Sequence, residues 1–90
     1  MNLRQAETEK EYIIRQINTN DEELNAFLFS LGCYSGEAIT VIAHRKSGCT
    51  VSIKDGRYNI DTQLAEAIEI WIKKISVSLF FLSRRLADAN

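Results

Sequence analysis

The sequence predicts a small, mainly β domain with one helix inserted after its first strand. Three observations predict it. Leu24, Phe27, Leu28 and Leu31 recur at helical spacing and stop at Gly32. Ala38 to Arg45 and Cys49 to Lys54 alternate apolar with polar side chains, the period of a half-buried strand. Asp55-Gly56, lying between two such runs, is a strong hairpin signal, because a type I′ turn needs positive φ at both central residues.

The elements follow in order. Residues 1–11 are polar and without pattern, and are expected to form a flexible arm. Tyr12 to Ile17 is short and β-branched, which marks a strand. Its imperfect alternation leaves the buried face open. The helix is expected over 21–31. Thr19 with Glu22, or Asn20 with Glu23, fits a capping box, and Asp21, Glu22 and Glu23 suit the positive end of the helix dipole. Phe29 lies off the apolar stripe. Cys33 to Gly36 is a turn. Ile39, Val41 and Ala43 share one face of the next strand, and Cys49, Val51 and Ile53 share one face of the strand after it. Arg57 to Ile60 returns from the hairpin, and Asp61 is placed to cap a helical turn over 62–66.

From Thr62 onward the sequence has neither Gly nor Pro. Leu64, Ile68, Ile72, Ile75, Leu79, Leu82 and Leu86 suit one long helical face, yet Ile68, Ile70 and Ile72 also alternate like a strand. Periodicity alone leaves both open.

Bulk properties exclude several functions. A chain of 90 residues supports one domain with a modest core. The net charge of −1 lacks the basic surplus that phosphate neutralisation demands, so nucleic acid is not an expected partner. The longest strongly apolar run, Val77 to Leu82, is far short of the roughly 20 residues of a membrane span. The N-terminus has no secretory pattern, so the thiols of Cys33 and Cys49 are expected to be free in a reducing, cytoplasmic setting.

Catalysis needs convergent polar groups with tuned acidity. The chain has a single histidine, His44, expected on the face opposite Val41 and Ala43 and exposed to solvent. Cys49 is expected in the core, behaving as a small hydrophobe, and Cys33 in a more open position beside the turn. Opposed faces prevent His44 and Cys49 from sharing a proton or a metal. The acidic run at 21–23 lacks nitrogen or sulfur partners at helical spacing, and helix-start electrostatics account for it. No catalytic residue, metal ligand or cofactor site is therefore expected. Four aromatics, Phe29, Tyr34, Tyr58 and Trp71, are the candidates for a partner-binding surface.

Three stretches in order resemble the FeoA family. The first is Leu28-Phe29-Ser30-Leu31-Gly32-Cys33-Tyr34-Ser35-Gly36-Glu37-Ala38-Ile39-Thr40-Val41, a helix ending in Leu-Gly, a Gly-containing turn and an alternating strand. The second is the hairpin Val51 to Ile60, and the third is Leu64-Ala65-Glu66-Ala67-Ile68-Glu69-Ile70. The chain departs from the family pattern at Phe27, where Arg is frequent, and at Ser35, where Pro is frequent. The resemblance covers residues 12–72. It implies an SH3-like β-barrel of about five strands, and it places 67–72 in a strand. It also implies a non-catalytic accessory role in bacterial ferrous-iron uptake, through docking on the cytosolic domain of the membrane iron transporter. Similar barrels occur as the C-terminal domain of metal-dependent transcriptional repressors. A stand-alone interaction module of that kind is the alternative.

Residues 73–90 have no counterpart in the minimal family domain. They carry four Lys/Arg against one Asp, whereas residues 1–72 carry seven Lys/Arg against eleven Asp/Glu, so the tail sums to +3 and the body to −4. Ile75, Leu79, Leu82 and Leu86, widened by Phe80 and Phe81, predict an amphipathic helix over 73–86 whose apolar face must be covered. The cover is the barrel, a second copy in a homodimer, or a partner or membrane surface. Protein is favoured, because so short a helix gains limited membrane affinity alone.

Overall fold

The computed structural model describes residues 1–73. The expected tail helix, with Ile75, Leu79, Phe80, Leu82 and Leu86, lies outside the described residues. Five strands form one antiparallel sheet: β1 (Glu11–Ile17), β2 (Ala38–Arg45), β3 (Gly48–Ile53), β4 (Gly56–Asp61) and β5 (Ile68–Ile72). Their order is β4-β3-β2-β1-β5, so β4 and β5 are the two edges and the sheet is not closed. Helix α1 (Glu22–Leu31) follows β1, and α2 (Thr62–Ala67) joins β4 to β5.

Alternation places the core. Cys49, Val51 and Ile53 of β3 are buried, and Val41 faces Val51 across the ladder. Tyr12 and Ile14 of β1, Ile39 of β2 and Ile68 and Ile70 of β5 complete the apolar interior, covered by Leu28 of α1 and Ala65 of α2. A bulge between Val41 and Ala43 shifts the β2–β3 register, after which His44 pairs with Cys49. Directly paired residues of an antiparallel ladder project to the same side. The expectation that His44 and Cys49 occupy opposite faces is thereby corrected, since one extra residue inverts the facing beyond it.

Helix α1 ends where the sequence predicts. Gly32 takes φ of 90°, and the N–H groups of Gly32 and Cys33 donate to the carbonyls of Phe29 and Leu28 at 3.0 and 2.8 Å. This doubly bonded ending brings the residue after the glycine back against the last turn. Cys33 is buried in consequence, as is Leu28, which corrects its expected open position. The helix starts differently from expectation. Asp21, rather than Thr19 or Asn20, is the cap, and its Oδ1 accepts from the Leu24 N–H at 3.0 Å. The apolar stripe is also narrower. Leu28 is buried and Leu24 and Leu31 are half-buried, while Phe27 is 59% exposed. A short helix beside an open sheet edge buries one seam, and Phe27 flanks it.

Two further corrections concern turns and the N-terminus. The hairpin turn centres on Lys54 and Asp55, one residue earlier than expected; Lys54 takes φ of 51° and Ile53 pairs with Gly56. Residues 1–11, expected as a flexible arm, are packed. Asn2 and Gln5 form a reciprocal cap around a 3₁₀ turn (Leu3–Gln5), with bonds of 2.9 and 2.8 Å. Leu3 and Ala6 enter the core, and the Glu9 N–H donates to the Val41 carbonyl at 2.8 Å. Two apolar residues three apart secure a segment whose composition is otherwise polar.

Candidate functional site

Three of the four candidate aromatics lie around the end of β1. Phe29 is 65% exposed, and its ring stacks on Tyr34 with centroids 4.6 Å apart. The Ser35 hydroxyl donates to the Arg15 carbonyl at 2.8 Å, which holds the Tyr34 turn against β1. The Arg15 guanidinium lies 5.9 Å from the centroid of the Trp71 ring, and Trp71 is 58% exposed. Arg15 thus meets the Tyr34 turn through its backbone carbonyl and the Trp71 ring through its guanidinium. Its guanidinium also pairs with Glu69 at 2.7 Å. Glu69 in turn accepts from Gln16 at 3.1 Å and from Asn18. These donors, Asn18 foremost and then Gln16, hold its carboxyl below the usual range. Arginine, tyrosine and tryptophan are the side chains that dominate protein interfaces. Arg15 was missed in the sequence because its partners, Glu69 and Trp71, come from the far end of the chain.

Tyr58, the fourth candidate, is elsewhere. It is half-buried against the core and lines a groove of about 710 Å³ between α1 and β4. Leu24, Phe27 and Leu31 form one wall, with Tyr58, Ile60 and Leu64 opposite. Asp21 and Asp61 also line it, and each is held by capping its own helix.

His44 and Cys49 share a smaller pocket of about 240 Å³ with Arg4, Arg45 and Lys46. The His44 Nε2 lies 2.7 Å from the Ala6 carbonyl. A carbonyl only accepts, so this nitrogen carries the proton and donates. Cys49 is buried, which pushes its thiol up. Burial pushes the Cys33 thiol up to about 11. Neither thiol is placed to be an anionic nucleophile at neutral pH. Among the described residues, no three His, Cys, Asp or Glu side chains group so as to hold a metal ion. No helix among them is long and apolar enough to cross a membrane.

Residues 1–71 match the FeoA domain, and the chain belongs to that family. The solved FeoA protein of Chlorobium tepidum aligns with a TM-score of 0.74 at 16% identity, over 82% of this chain and 71% of its own. FeoA of Stenotrophomonas maltophilia, solved with zinc and described as a prokaryotic SH3 domain protein, gives 0.67 at 14% identity, over 79% of this chain and 89% of its own. A manganese-dependent transcriptional repressor gives 0.68 at 18% identity, over 78% of this chain and 40% of its own. Identities this low speak to the fold alone. That fold is SH3-like, with the sheet open between β4 and β5. No curated protein matches the chain.

Proposed function

We propose that this FeoA-family chain is a non-catalytic accessory protein of ferrous-iron uptake, acting in the cytoplasm by docking on the cytosolic part of the membrane iron transporter. The observation that carries the docking is the exposed surface of Phe29, Tyr34, Arg15 and Trp71. Large aromatics held rigid at the surface bind proteins at little entropic cost, and a fixed guanidinium adds direction. The chemistry of the remaining polar groups agrees with this role, since both thiols are held protonated by burial and His44 is engaged with a backbone carbonyl.

A second reading rests on the likeness to the manganese-dependent repressor, over 78% of this chain. In that reading the same surface meets a metal-dependent repressor instead. Affinity measurements with the immobilised cytosolic domain of the transporter and with such a repressor separate the two. Phe29→Ala and Trp71→Ala are each expected to weaken transporter binding at least about tenfold, the effect of an interface anchor, in variants that still unfold cooperatively. Unchanged affinity in both variants would remove this surface from the account. Capture of the repressor and not the transporter would transfer the role to the second reading.

A further inference from the structure

We propose that the small pocket between the β2–β3 turn, the N-terminal 3₁₀ turn and α2 is an anion site, in which Arg4, Arg45 and Lys46 hold a phosphate group. This site is separate from the aromatic surface around Trp71, and the inference does not depend on that surface.

Three stretches far apart in the sequence build the walls. Arg45 ends β2 and pairs with Gly48 across the turn that carries Lys46. The Thr62 N–H donates to the Ser47 carbonyl at 3.0 Å, which ties the start of α2 to this turn. A side chain at position 48 would collide with the Ile60 carbonyl, so glycine lets the turn lie this close to β4. On the other side, the bond from His44 Nε2 to the Ala6 carbonyl fixes the segment that carries Arg4. Among the described residues, the three cations line a recess of about 240 Å³ together with His44, Cys49 and Thr62.

Positive charge is gathered here against the balance of the molecule. Residues 1–72 carry seven Lys/Arg against eleven Asp/Glu, yet three of the seven and none of the eleven line this pocket. The carboxylates of α2 and its cap are engaged elsewhere. Glu66 meets one terminal nitrogen of Arg4 at 2.8 Å, and Asp61 caps α2 and lines the larger groove. Arg4 keeps its second terminal nitrogen. Arg45 donates through Nε to the Thr50 hydroxyl at 2.9 Å, which leaves both of its terminal nitrogens to the pocket. Lys46 enters no ion pair among the described residues. Like charges in one recess repel, and a bound anion turns that repulsion into attraction.

Size and donor set choose the ligand. Sites for whole drug-sized molecules measure about 300–1,000 Å³, so this pocket takes a group rather than a nucleotide. A guanidinium fork matches phosphate bidentately, and a lysine beside it adds a point charge. One guanidinium satisfies a carboxylate. A phosphate offers more acceptor oxygens and more charge, and so uses cations that approach from different walls.

The test titrates inorganic phosphate into the isotope-labelled full chain at constant pH and ionic strength, with sodium chloride as the matched control. Saturable amide shifts centred on Lys46, Gly48, Thr62 and the 3₁₀ turn are expected with phosphate and none with chloride. Lys46 is exposed in a turn, so Lys46→Ala should keep the wild-type amide spectrum elsewhere. It should raise the dissociation constant at least about tenfold, the loss of one charge-assisted contact. Arg57→Ala removes the same charge from the groove side and should change the constant by no more than about twofold, because salt screens distant charges. A companion arm offers vesicles of phosphatidylcholine with phosphatidic acid. Flotation lost in Lys46→Ala and kept in Arg57→Ala supports the site and names a lipid headgroup as the source of the phosphate, whereas saturation by inorganic phosphate alone names a soluble one. No saturable response in either arm would overturn the site. Equal losses in Lys46→Ala and Arg57→Ala would overturn it too, since binding would then follow the charge of the whole molecule.

Discussion

Leu28 and Phe29 are neighbours on one helix with opposite surroundings. Leu28 is 3% exposed and belongs to the core, while Phe29 is exposed and stacks on the ring of Tyr34. Leu28→Ala is expected to cost about 2–5 kcal/mol in urea denaturation, through lost burial and a cavity. Phe29→Ala should cost no more than about 1.5 kcal/mol, the scale of one aromatic pair. A midpoint for Leu28→Ala equal to wild type would mean that α1 does not cover the core. Cys33 gives a second prediction at this scale. Its folded thiol titrates near 11 against an ordinary value of 9.0, so at pH 8 its thiolate is roughly a hundredfold scarcer than that of a free thiol. Reaction with an aromatic disulfide reagent should be slowed about as much in the native state, and should reach the free-thiol rate in denaturant. The unfolded thiol ionises first. Burial of the protonated thiol therefore contributes fully below pH 9.0 and is lost as pH rises through about 11. A native Cys33 that reacts at the free-thiol rate contradicts its place in the core. The burial of Cys33 was hidden in the sequence because it depends on the two backbone bonds that fold the chain back after Gly32.

At the scale of elements, Glu69 fastens β5 to β1 across the irregularity between Ile14 and Gln16. Asn18 and Gln16 donate to its carboxylate and Arg15 pairs with it, so its carboxyl is held below the ordinary 4.5. A depressed carboxyl contributes stability above its unfolded value and loses it as pH falls through the folded one. Thermal midpoints of the wild type should therefore drop as pH is taken below 4.5, and Glu69→Gln should start lower and fall less over that range. Parallel curves for the two proteins would show that the carboxylate does not clamp these strands. Regular elements were legible from residue spacing alone: the alternation of β3, the Gly32 stop and the Asp61 cap all lie where the sequence put them, whereas in β2 Ala43, expected on the face of Ile39 and Val41, pairs with Thr50 on the other face. The bulge in β2 was not, because Ile42 is as good a strand residue as its neighbours, and only pairing with β3 shows that it is the extra one. That single residue carried His44 to the side of Cys49. The packed N-terminus had a faint signal in Asn2 and Gln5, three apart around Leu3, which a polar composition concealed.

For the molecule as a whole, the five-stranded plan with α1 after β1 was legible because each helix stop, turn and alternating run agreed with the same chain path. The strand at 68–72 was not settled by periodicity. It forms because Ile68 and Ile70 meet Ile17 and Ile14 across the β1 ladder, a long-range pairing that no local window contains. Of the aromatics singled out in the sequence, Phe29 stacks on Tyr34 and Trp71 meets Arg15, while Tyr58 lies apart and lines the groove; the Arg15 pairing was not legible, because it joins β1 to β5 across most of the chain. The docking surface is tested most directly by titrating the cytosolic domain of the transporter into isotope-labelled chain and following backbone amides. Saturable shifts centred on Arg15, Phe29, Tyr34 and Trp71 are predicted. No shift at several-fold excess, or a footprint confined to the sheet face remote from Arg15, would contradict the account.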